Sequence, residues 1–274
     1  MSNSTIYCRL TNFALLAATL CLLAGPVAFG QEFKIESQVY MDSQATPIAS
    51  SLTLFQDKLV FDITIGSDGS SASEVVIFDS TTESFELLDI AKERRLHIEQ
   101  FEIVRTVESM RQQGSQDERL LNLVEPRLAE HVETSTRFLR LSNAQLTYEA
   151  SCDSPENATI LPAYYQFLDQ YTRLTATDPR RLPPFARLEL NQAIKKHGWI
   201  PREIKLHLDG GQISERSVRL HSKHQLISQL SDQDKKRIEL ARRQWTLFKP
   251  VSLAEYREIP QVSETAEGES KVKR

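Results

Sequence analysis

The chain contains six histidines, the side chains best suited to acid-base work or metal binding near neutral pH. His221 and His224 stand at H-x-x-H spacing, and His207 lies in an alternating segment, Ile200 to Asp209. That segment reads as one arm of a hairpin turning at Gly210-Gly211, with Glu215 to His221 as the other arm. If Ile204, Leu206 and Leu208 face inward with Val218 and Leu220, then His207 and His221 share the outer face. Asp209 would be the third member of a candidate metal site. Zinc sites need three or four ligands braced by further hydrogen bonds, so a solvated strand face is the default reading. His197 falls in the last turn of an expected helix, where an imidazolium suits the helix dipole. His97 and His131 have no legible partner.

Paired carboxylates offer a second chemistry. Asp79 and Asp89 sit at the ends of neighbouring expected strands. Glycoside hydrolysis wants two carboxyls about 5 to 10 Å apart across a sugar-sized cleft, whereas aspartates at strand ends usually start turns. Gly66-Ser67-Asp68-Gly69-Ser70 lacks the spacing of a nucleophile elbow. Asp57, Asp62 and Asp68 do not follow a calcium-loop pattern, and no phosphate-cradling, dinucleotide or H-E-x-x-H motif occurs. No catalytic, cofactor-binding or metal residue is therefore assigned, no cofactor is expected, and a non-enzymatic protein is the reading preferred.

Charge and leader narrow the setting. With 33 Lys+Arg against 37 Asp+Glu, the net charge of −4 gives no reason to expect a nucleic-acid partner. Met1 to Arg9 is short, polar and singly cationic; Leu10 to Ala24 is uncharged and rich in Leu and Ala; Pro26 and Ala28-Phe29-Gly30 follow. This order reads as a signal peptide over residues 1–30, with Gln31 opening the mature chain. The apolar core of about 15 residues is short of the roughly 20 that an uncleaved anchor needs. Leu20 before Cys21 speaks against lipidation. Cys152 would then be the one cysteine left, more suited to a small buried side chain than to a nucleophile. No later segment is apolar enough to span a membrane, so no stable span is expected after cleavage.

Strand periodicity dominates the next stretch. Phe33, Ile35 and Val39, then Leu52 and Leu54, then Leu59, Phe61, Ile63 and Ile65 alternate with polar or smaller residues. Val75 to Phe78 and then Phe85, Leu87 and Leu88 complete an antiparallel meander of about five strands. From Leu96 to Gln113, Ile98, Phe101, Val104 and Met110 fit a helix. A second helix carries Leu120, Leu121, Val124 and Leu128, kinked or cut at Pro126. Arg137 to Ser142 and Ala144 to Ala150 read as strands, Cys152 to Asn157 as a loop, and Ile160 to Leu174 as an amphipathic helix rich in Tyr164, Tyr165, Phe167 and Tyr171. Pro184 opens another helix that stops at His197-Gly198. Ser231 and Asp234 open the last, with Ile238, Ala241, Trp245 and Phe248 inward and the basic runs Lys235-Lys236-Arg237 and Arg242-Arg243 on its solvated face. The expected architecture is α+β: an antiparallel sheet packed against several amphipathic helices. It would form a single domain over residues 31–259, followed by a polar, loose tail over 260–274.

Several segments carry a resemblance: Val76-Ile77-Phe78-Asp79 with Phe85-Glu86-Leu87-Leu88-Asp89, Leu182-Pro183-Pro184-Phe185-Ala186-Arg187-Leu188 with Leu190-Asn191, Leu230 to Ile238, and Val251-Ser252-Leu253-Ala254-Glu255-Tyr256. Over most of the mature chain they resemble a family of uncharacterised exported bacterial proteins. The early meander is more distantly similar to the outer-membrane lipoprotein-carrier fold, in which a curved, half-barrel-like antiparallel sheet holds helices in its concave face and shelters acyl chains. The resemblance implies a single exported module and supplies no activity. Export, alternating strands that need a cover and the lack of a catalytic constellation point to a binding module in the periplasm or cell envelope, for an envelope partner or an apolar ligand. An envelope hydrolase acting on sugar or ester bonds and a structural subunit of an envelope assembly are the alternatives. If the leader is removed as read, the intact mass of the exported protein corresponds to a chain beginning at Gln31; full-length material confined to the cell interior overturns that reading.

Overall fold

The computed structural model describes residues 32–42, 44–66, 71–209 and 217–258. The expected leader, the Asp68-Gly69 and Gly210-Gly211 turns and the expected tail lie outside the described residues. The chain runs through β1 (Phe33–Met41), β2 (Ala49–Gln56), β3 (Leu59–Ile65), β4 (Ala72–Asp79), β5 (Ser84–Asp89) and β6 (Arg94–Ile98). Helices α1 (Gln100–Gly114) and α2 (Glu118–Val124) follow, then β7 (Ala129–Glu133), β8 (Phe138–Ser142) and β9 (Leu146–Asp153). Next come α3 (Leu161–Leu174), α4 (Phe185–Lys196), β10 (Ile200–Leu208) and β11 (Val218–Ile227), and finally α5 (Asp232–Leu247), β12 (Lys249–Pro250) and α6 (Leu253–Arg257).

The described strands form a single open sheet in the order β12-β6-β5-β4-β3-β2-β1-β11-β10-β9-β8-β7. Every pairing is antiparallel except β12 on β6. The fold is thus α+β, an antiparallel sheet with helices packed on it. The meander has six strands, because Arg94–Ile98 is a strand and not the start of a helix. Counting Ile98 into the helix also sets its phase wrongly. The side of α1 that packs inward carries Ile103, Val107 and Gly114, while Phe101 is 65% exposed. A side chain at Gly114 would meet Val124 Cγ1 at 2.4 Å, so glycine is what lets α1 and α2 touch. Helix α2 stops at Val124, two residues before Pro126, in keeping with the bias against helical backbone just ahead of a proline. Leu128 lies beyond it, and the chain continues into β7, an exposed and charged edge strand. The segment from Cys152 reads as loop in sequence, but β9 runs on through Asp153.

Three hairpins are built alike. Asp79 pairs with Ser84, Asp89 with Arg94 and Glu133 with Phe138, each across four turn residues. The fourth residue of each turn, Glu83, Glu93 or Arg137, adopts left-handed backbone at φ 54°, 49° or 53°. Asp79 Oδ1 accepts from the Thr81 amide at 2.8 Å, and Asp89 Oδ1 from the Lys92 amide at 3.1 Å.

One face of the sheet packs on α1, α3 and α4 through Phe33, Phe55, Phe78, Phe85, Leu139 and Leu190, all nearly inaccessible. Phe167 of α3 is the hub, with its ring 5.7 Å from Phe55 and 6.0 Å from Phe78. The opposite face of β2 to β5 carries Leu54, Phe61, Ile63, Val75, Ile77 and Leu88 beneath Ile238 and Ala241 of α5. Strands expected to bury one face therefore bury two, and Asp62, between Phe61 and Ile63, is itself buried at 5% exposure. Thr53 Oγ1 donates to it at 2.7 Å. Truncating Phe78 to Ala should cost about 3–5 kcal/mol in urea denaturation, whereas Phe101→Ala should change stability by no more than about 0.5 kcal/mol.

Candidate functional site

The outer face of the sheet is only half covered. Beyond β1, away from α5, it presents a polar groove of about 490 Å³ lined by Asp42, Arg140, Glu149, Lys205, His207, Arg219 and His221, among others. Strand register explains the arrangement. Arg140 pairs with Glu149, Glu149 with Lys205, Lys205 with His221 and His221 with Tyr40, giving one row across β8, β9, β10, β11 and β1. Ser142, Thr147, His207 and Arg219 form the next row. Because alternate residues face the same way, two rows two residues apart place all these side chains on one surface.

His207 and His221 thus share the outer face and one groove, as the hairpin alternation predicts. They do not form the metal site considered with Asp209. His207 Nε2 lies 3.2 Å from Asp209, while His221 stacks on Tyr40 with ring centroids 4.7 Å apart and planes 4° from parallel. Among the described residues no three His, Cys, Asp or Glu side chains are placed to hold a metal ion. Lys223 Nζ sits 5.5 Å from the Tyr40 ring centroid. Arg140 directs Nε and Nη2 to Glu149 Oε1 at 3.1 and 2.6 Å. Lys205 Nζ is 3.7 Å from Glu203, and Arg219 makes no ion pair among the described residues. Three cations thus meet two carboxylates in the groove lining, on a chain whose net charge is −4. Sequence reasoning found the histidines and missed Arg140, Glu149, Lys205, Arg219 and Tyr40. Their shared outward parity was legible, but the order of the strands that aligns them was not.

The other candidates disperse. Asp79 and Asp89 lie at opposite ends of the β4-β5 ladder, opposite Ser84 and Glu74. That is about 17 Å at the antiparallel rise of about 3.4 Å per residue, too far for a glycosidase pair. Both serve as turn caps. Cys152 is buried, and burial, with a smaller push from Asp153, raises its thiol pKa to about 12. Tyr164, Tyr165 and Phe167 are core. His97 gains Glu86 at 2.8 Å and Glu99 at 3.0 Å; its burial would lower its pKa, but the two carboxylates outweigh it and raise it. His197 stacks on Trp199, and His131 lies 3.8 Å from Glu133. A second cavity of about 670 Å³ lies beside α3, where Glu83 collects the side-chain amides of Gln100, Gln166 (2.9 Å) and Gln170 (2.8 Å). These bonds tie the β4-β5 turn to α1 and α3.

His224 faces the opposite way from His221. Its ring nitrogens lie 2.9 Å from the Ser37 hydroxyl and 2.8 Å from that of Ser222. Burial first, and the Arg187 guanidinium second, hold its pKa down at about 4. The unfolded chain, with an ordinary imidazole near pH 6.5, therefore binds more protons than the folded one between those values. Stability from this site is complete above about pH 6.5 and drains away as pH falls toward 4, by up to about 3 kcal/mol. In a melting series, His224→Gln should flatten the decline between pH 6.5 and 4.

No family model matches the chain, and no curated protein matches it. Among solved structures it is similar to PNGF-II, at 8% identity and a TM-score of 0.33, over 81% of this chain and 31% of that one. The chain thus spans about a third of that protein's length.

Proposed function

We propose that this chain is an exported, non-enzymatic binding module of the cell envelope, and that the outer-face groove takes a carboxylate-bearing ligand. The observation that carries the reading is Arg219, a guanidinium without an ion pair among the described residues, set beside Lys205, His207 and His221 on a hydrogen-bonded five-strand face. Guanidinium groups bind carboxylates with two parallel hydrogen bonds, and strand-borne side chains are held in place before the ligand arrives.

Export rests on the leader of residues 1–30 and on the resemblance to exported proteins. An apolar ligand finds less support: the face beneath α1, α3 and α4 is filled by Phe33, Phe55, Phe78, Phe85 and Phe167. A hydrolase finds little, since Asp79 and Asp89 are far apart and the described lining of the groove holds no Ser or Cys paired with a base. Among the described residues no helix is long and apolar enough to cross a membrane.

Soluble polyglutamate and alginate, a carboxylated peptide and a carboxylated glycan, test the groove and separate the two sources of the group. At low salt the chain should bind at least one of them. Arg219→Glu should weaken that binding about tenfold or more, equivalent to about 1.4 kcal/mol, with an unchanged melting temperature. Added salt should weaken it too. Failure of the wild type to bind either polymer, or equal binding by Arg219→Glu, overturns the reading.

A further inference from the structure

Helix α5 has two working sides. Ile238 and Ala241 face the sheet, with Trp245 packed beside them. Three of its cations are also engaged toward the body of the protein. Lys235 pairs with Glu32 at 3.0 Å, Arg237 with Asp234 at 3.2 Å, and the Arg242 guanidinium carbon lies 5.3 Å from the Phe61 ring centroid. The opposite side repeats Lys236, Leu240, Arg243 and Leu247, spaced by four, three and four residues, which is one stripe of a helix. Leu240 is 55% exposed and Leu247 is 81% exposed. Lys236, Arg243 and the neighbouring Lys249 make no side-chain ion pair among the described residues. Asp232, one turn before Lys236, and Glu239, beside the stripe, are the acidic residues nearest it, and neither makes an ion pair with Lys236 or Arg243 among the described residues.

Leucines that alternate with free cations suit one kind of partner better than others. An anionic bilayer surface takes the leucine side chains at the boundary between headgroups and acyl chains, and sets phosphate charges at the height of the ammonium and guanidinium groups. A nucleic acid would use the cations and gain little from the leucines. We propose that the Lys236–Leu240–Arg243–Leu247 stripe is a membrane-surface contact that seats α5 on an anionic lipid leaflet. It is separate from the groove beyond β1 and does not depend on its ligand.

The test is co-flotation of the full chain with vesicles of phosphatidylglycerol and phosphatidylcholine, against vesicles of phosphatidylcholine alone. The wild type should float with the anionic vesicles and not with the neutral ones. The paired variants Leu240→Ser with Leu247→Ser, and Lys236→Glu with Arg243→Glu, should each reduce the bound fraction at least tenfold. Wild type and variants share one N-terminus, so flotation on neutral vesicles measures the leader's contribution and is subtracted from flotation on anionic ones. All four positions face solvent, and an unchanged melting temperature checks the fold; if the leucine pair destabilises the chain, the charge pair gives the reading alone. Arg219→Glu should float as the wild type does, which separates this contact from the groove. No flotation of the wild type, equal flotation on neutral vesicles, or flotation of both paired variants equal to that of the wild type overturns the proposal.

Discussion

Strands β3, β4 and β5 carry apolar side chains on both faces, and a sheet with two apolar faces needs two covers. That requirement organises the molecule. Phe78 and Phe85 look toward Phe167 of α3, while Phe61, Ile63 and Leu88 look toward Ile238 and Ala241 of α5. Each cover removes apolar area from water at roughly 25 cal/mol per Å², so neither layer is optional. The capping box of Ser231 and Asp234 fixes where the outer cover begins, and the Lys34 ammonium reaches the buried Asp234 carboxylate at 3.1 Å. Helix α5 is thereby pinned to β1 at its first turn.

The same requirement creates the groove. A helix of 16 residues is about 24 Å long at about 1.5 Å per residue. It shields β2 to β5 and leaves the outer side of β8 to β11 bare. Those strands are apolar on one side only, as the burial pattern of β9 displays. Their outward positions are filled by Arg140, Glu149, Lys205, His207, Arg219 and His221. The polar surface and the second apolar cover are two halves of one sheet face, divided at β1.

Much of the fold was legible in the sequence, and the reasons are local. Alternation placed β1, β2, β3 and β5, a continuous apolar run placed β4, and Ser231 with Asp234 marked the start of α5. The β10-β11 hairpin is legible as well, but its second arm runs on past His221 to Ile227, where pairing with β1 extends it. Gly198, with φ 67°, marked the end of α4. What failed depended on neighbours distant in sequence. Leu96 and Ile98 carry the same apolar signal on a strand as on a helix; pairing with β5 decides the matter. Phe61 and Ile63 were rightly taken as buried, but alternation cannot say which cover they meet. Nor can it reveal Asp62 as buried, because that depends on Thr53 one strand away. At the groove, the two histidines could be placed together because a single short hairpin joins them. Arg140 and Tyr40 come from opposite ends of the five-strand row, and nothing in their own segments brings them there.

The three matching hairpin turns carry a further consequence. Each spans four residues, an even number that preserves the in-and-out phase of the strands on either side. Losing one residue from the turn before β5 would carry Glu86 into the layer of Phe78 and Phe167 and away from its partners Arg95 and His97. The same loss beside β8 would carry Arg140 into the hydrophobic layer and leave Leu139 in solvent. Turn length is therefore held at both places by a charged side chain, Glu86 or Arg140, that a one-residue slip would turn into an apolar layer.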